Sequence, residues 1–78
     1  MIEPEELETL LDARPFRPFK LRTADGQEYT IGRPRMVSWA EDSPMLVTIN
    51  VRKAVRAYVD LTLVTAAVEL AVPSVEIP

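Results

Sequence analysis

The sequence predicts a mainly β domain led by one short helix, with about five strands wrapped into a small closed or nearly closed barrel. Three observations carry that expectation. From Phe19 onward, apolar residues alternate with polar ones, the period-2 signature of half-buried strands. Turn formers break this pattern at Asp25-Gly26, at Gly32 and Pro34, and along Glu41-Asp42-Ser43-Pro44. Helical spacing is confined to the N-terminal dozen residues. Closure also removes strand edges that a chain of 78 residues has little else to cover with.

The helix is expected over residues 3–14. Pro4 suits a first helical position, where a missing N–H costs nothing, and Glu5 and Glu6 sit where the helix dipole favours negative charge. Leu7, Leu10 and Leu11 fall on one stripe, with Glu6 and Glu8 on the wet side. Pro15 pushes Arg14 out of helical conformation and ends the element. So short a helix holds only if its leucines pack on something.

The barrel is expected over residues 18–70. Phe19, Leu21 and Thr23 mark the inner face of the first strand, and Asp25-Gly26 signals a hairpin. Tyr29 and Ile31 share one face of a second strand. Gly32 and Pro34 bend it, and it resumes over Met36–Trp39. Met45, Val47, Ile49 and Val51 alternate in the next strand, and Val55, Ala57 and Val59 in the one after, with Arg52-Lys53 in the turn. Residues 60–70, DLTLVTAAVEL, admit a helix capped by Asp60. Their Thr and Val content favours instead a short turn at Leu61–Val64 followed by a strand. The tail, 71–78, is read as extended because Pro73 forbids a helix there. All of this makes a single domain over 1–78.

The leading helix, the run FKLRTADGQEYTI, the bent second strand and the closing VDLTLVTAAVEL together resemble the Sm-like branch of SH3-type small barrels. The stretch RPFRPFKLRTADGQEYTIGRP is also similar to that of small bacterial proteins of unassigned function. The resemblance implies a five-stranded SH3-like, Sm-like small barrel. Sm proteins carry an Asp and an Asn after the bent strand and an Arg-Gly pair before the last strand, which together form their RNA-base pocket. Here those stretches read MVSWAEDS and YVDLTL, so no RNA-binding residue carries over.

Composition narrows the chemistry. With no His and no Cys there is no disulfide, no zinc constellation and no imidazole for acid–base work, and two glycines cannot write a phosphate-cradling loop. The loops lack the oxygen-ligand spacing of a calcium site. Ser38, Ser43 and Ser74 sit in no nucleophile elbow. The expectation is a non-enzyme without metal or cofactor. The acidic N-terminus is unlike a signal peptide, and no run is long and apolar enough for a membrane span, so a cytoplasmic protein is expected. A core this small leaves self-association as the available source of further stability.

Charge is distributed unevenly. Residues 1–12 hold five acids and no base, whereas residues 13–56 hold all nine Lys and Arg against Asp25, Glu28, Glu41 and Asp42. An acidic helix beside a basic middle can pair within the chain, between copies, or leave a basic face open. Arg33 and Arg35 flank Pro34, while Arg52, Lys53 and Arg56 crowd the later turn. If the bent strand brings them together they form a patch able to hold phosphate or carboxylate, a candidate anion or partner site; the plainer reading is an ordinary mixed surface. Trp39 reads first as core packing and second as a surface anchor. Pro15-Phe16-Arg17-Pro18 matches the polyproline-ligand spacing but reads as the joint between helix and sheet, with Phe16 and Phe19 covering the barrel end. The functional expectation is a non-catalytic module that self-associates as a homo-oligomer or docks on a protein partner. The alternative is an Sm-like nucleic-acid binder using the Arg/Lys patch.

Overall fold

A computed structural model describes residues 1–70; the extended tail expected over 71–78 lies outside the described residues. Helix α1 spans Pro4–Asp12, with Pro4 in its first turn as expected. The Glu6 carboxylate accepts from the Glu3 N–H at 2.9 Å, occupying a donor that the helix start leaves free. Leu7 and Leu11 are buried and Leu10 packs beside them. The helix stops short of residue 14 because Ala13 already has extended backbone, with ψ at 140°. The following Arg14–Pro15 peptide is cis. Past it, Phe16 tilts at 60° against the fully buried Phe19 with ring centroids 6.0 Å apart. The doubled Pro-Phe run therefore joins the helix to the sheet.

Six strands follow, not five: β1 (Phe19–Thr23), β2 (Glu28–Ile31), β3 (Val37–Trp39), β4 (Leu46–Arg52), β5 (Val55–Asp60) and β6 (Val64–Glu69). They form two antiparallel three-stranded sheets, ordered β2-β1-β6 and β3-β4-β5. The extra strand comes from the expected bend. A 3-10 turn over Pro34–Met36 cuts the long second strand in two, because Pro34 has no N–H to give a ladder. Its halves, β2 and β3, lie in different sheets, and no ladder joins the sheets among the described residues, so the barrel is not closed.

The inner faces follow the alternation. Phe19, Leu21 and Ile31 of the first sheet and Val47, Ile49 and Val59 of the second meet in one buried cluster with Leu7, Leu11 and Ile2. The β1–β2 connection is a turn in which Gly26 N–H donates to Thr23 C=O, with Gly26 at φ +88°. Residues 60–70 are a 3-10 turn, Leu61–Leu63, and then β6. Asp60 caps that turn rather than a helix, accepting from the Thr62 N–H at 2.9 Å. The turn ties the parts together. Leu61 N–H donates to Met45 C=O beside the second sheet, Leu63 C=O accepts from Ala24 N–H in the first, and Leu61 C=O accepts from Ile2 N–H.

Two residues are misplaced by simple alternation. The β4–β5 register slips between Asn50 and Arg52, leaving Val51 in a bulge and 46 % exposed instead of inward. Val55 is exposed as well. The hairpin tip thus projects beyond the core.

Candidate interaction surface

The β3–β4–β5 register decides whether the expected cations gather. Val37 pairs with Ile49, so the residues just before β3, the 3-10 turn carrying Arg35 and its neighbour Arg33, run alongside the late part of β4. Arg52 pairs with Val55, and Asn50 with Arg56, placing Arg52, Lys53 and Arg56 around the same end of the sheet. All five are exposed. A two-residue connection, Lys53-Ala54, forms the tip, with Ala54 at φ +65°.

These cations differ from those on the first sheet. Arg22 and Lys20 both reach Glu28, at 2.7 and 3.4 Å, and Arg17 stands 3.9 Å from Glu69. The two basic groups hold the Glu28 carboxyl below its ordinary range, chiefly through the Arg22 hydrogen bond. Arg33, Arg35, Arg52, Lys53 and Arg56 make no ion pair among the described residues. The acids of α1 make none either, so the pairing of helix and basic middle within one chain does not occur.

Trp39 is not part of the cationic group. It pairs with Val47 near the start of β4, at the far end of the same sheet. The seven residues of β4 separate the two ends by about 20 Å. At 37 % exposure Trp39 is not a core residue, which corrects its first reading. It lines an open groove of about 380 Å³ between α1 and the β3–β4 loop, with Pro4, Glu5, Glu8, Glu41 and Pro44. Sequence reasoning missed this grouping. The acidic count of the helix was plain, but its placement beside Glu41 follows only from where the helix packs. A second groove, more apolar, lies between α1 and β6 and includes Met1, Leu10 and Ala66.

Two further carboxylates are tied up locally. Thr23 Oγ1 donates to Asp25 and the Gln27 N–H supports it, lowering the Asp25 pKa; the Thr62 hydroxyl and N–H do the same for Asp60. Among the described residues no group of three or more His, Cys, Asp or Glu is placed to hold a metal, and no helix is long and apolar enough to cross a membrane.

The fold and surface thus define a small mainly β domain of two open sheets with a charged patch at each end of one of them. Comparison with family models, with curated proteins and with solved structures finds no match.

Proposed function

We propose that this protein is a non-catalytic interaction module that self-associates or docks on a protein partner through the basic end of the β3–β4–β5 sheet. The carrying observation is the gathering of five exposed cations, without an ion pair among the described residues, at the end of a sheet whose outer strands, β3 and β5, each have one edge unpaired by any described strand. Exposed backbone edges offer hydrogen bonds to any strand that approaches, and unpaired guanidinium groups select acidic surfaces. We read the two sheets as an opened form of the SH3-type, Sm-like small barrel. The helix-first order and the break at Pro34 support that reading, as does the hairpin at Asp25-Gly26. A cytoplasmic setting fits the absence of cysteine.

The same patch favours a second reading, a nucleic-acid binder. Tyr58, 71 % exposed, stands two residues from Arg56 on the same face of β5, offering a ring beside the charge. The chain's net charge of −3 weighs against a polyanionic partner.

Light scattering on a sizing column and titration of a labelled single-stranded oligonucleotide separate the two. An assembly heavier than the 8.8 kDa chain, with no oligonucleotide bound, supports the interaction module. Oligonucleotide binding that weakens steeply with salt, and that Arg33→Ser with Arg35→Ser removes, replaces it with the second reading. A mass of 8.8 kDa at every salt concentration overturns self-association.

A further inference from the structure

We infer that the partner of the basic end is the Trp39 groove of a second copy of this chain, so that copies join head to tail through complementary ends of the same sheet. The inference rests on the self-association reading and specifies its interface.

The two ends are matched in chemistry. The groove is lined by Trp39, Pro4 and Pro44 together with three exposed carboxylates, Glu5, Glu8 and Glu41, and by no Lys or Arg. An exposed indole beside carboxylates suits a guanidinium or ammonium group, which can lie over the ring while it donates to the acids. The basic hairpin presents Arg52 and Lys53 at a tip that projects past the core, with Arg56 beside them. Neither set has an ion-pair partner among the described residues, where the pairs use Glu28 and Glu69 as acids and Arg17, Lys20 and Arg22 as bases.

Geometry prevents one molecule from satisfying both ends itself. They lie about 20 Å apart along a rigid strand, so the tip of one copy can reach the groove only of another. Where each copy gives its hairpin to one neighbour and its groove to another, the contact is heterologous and builds a closed ring or an open row, whereas the same contact made reciprocally closes a two-fold dimer. A dimer in which two identical patches face each other would set like charges together.

Two charge-reversed proteins test this directly. The first carries Glu5→Lys, Glu8→Lys and Glu41→Lys together with Trp39→Phe; the second carries Arg52→Glu, Lys53→Glu and Arg56→Glu. All changes are at exposed positions, and circular dichroism checks that both fold. Each alone should run at 8.8 kDa at low salt, where the unaltered protein runs heavier. Mixed in equal amounts at low salt, they should assemble again into a species heavier than 8.8 kDa, because the unaltered hairpin meets the unaltered groove and the Glu-bearing hairpin meets the Lys-bearing groove. The single Trp of the mixture then lies in the covered groove, so its emission should shift on mixing and return when salt is added. If the reversed chains prove unfolded, the Glu→Gln and Arg→Ser versions should each still weaken assembly at least tenfold. A heavier, salt-insensitive species unaffected by either set of changes overturns the head-to-tail contact while leaving self-association in place. An unaltered protein that is monomeric at low salt overturns both.

Discussion

Glu28 shows how little of the chain's charge is used inside the fold. Its carboxylate is shared by Arg22 and Lys20 across the β1–β2 pair, and its affinity for a proton is lowered in consequence. Asp25 and Asp60 are lowered too, by hydrogen bonds from their own turns. A carboxylate with a depressed folded pKa contributes stability that is present above its unfolded value, and that is lost as pH falls through the folded one. Melting curves taken from neutral pH downward should therefore show the midpoint falling once pH drops below about 4. Glu28→Gln should make that decline shallower, with a small effect because the group is exposed. An unchanged slope would remove Glu28 from the account. Backbone conformation is tested at two other residues. Gly26 sits at φ +88° with open space around it, so Gly26→Ala should cost about 1–2 kcal/mol from conformation alone. Ala54 occupies the same unfavourable region at the basic tip, and Ala54→Gly should stabilise by about 0.5–1 kcal/mol. Urea titration reads both, and opposite signs are required.

Among the elements, the 3-10 turn at Leu61–Leu63 has the widest reach for its length. Its backbone bonds run to Ile2 before α1, to the β1–β2 turn and to Met45 before β4, while the Leu61 side chain is wholly buried. Leu61→Ala should cost about 2–5 kcal/mol, and chemical denaturation should show both sheets lost in a single step. A two-step transition would mean that the turn does not couple them. This element was legible in the sequence, since Asp60 followed by Leu, Thr and Val offers a cap and then β-branched residues. The phase of Phe19, Leu21 and Thr23 was legible for the same reason: alternation is a local property. The division of the second strand was not. Gly32 and Pro34 announce an interruption, but whether the chain bends within one sheet or crosses to another depends on where β4 lies. Val51 was lost similarly, because a bulge changes alternation without changing composition.

For the whole molecule, the distribution of charge matters more than its total. A net charge of −3 describes a mildly acidic protein, yet the β3–β4–β5 sheet has cations at one end and, against α1, carboxylates at the other. The candidate cations could be named from the chain, since each lies beside a turn. Their convergence could not, because it depends on the pairing of Val37 with Ile49 and Asn50 with Arg56 across three strands. The placement of Trp39 at the opposite end was hidden likewise.

The β1–β6 pairing has a consequence for the order in which the protein can be made. Among the described residues the central strand of the first sheet is the earliest strand, and one of its two neighbours is the last: Phe19 pairs with Glu69 and Arg22 with Ala66. During synthesis β1 can find β2 within a few residues, but its other flank stays bare until β6, Val64–Glu69, has left the ribosome. The turn that links helix and sheets emerges just before β6. The β3–β4–β5 sheet, built of consecutive strands, can pair first and carry the basic hairpin, while the first sheet and the helix settle only once β6 has emerged. A ribosome stalled before β6 should therefore display a nascent chain that proteases cut readily between residues 1 and 31.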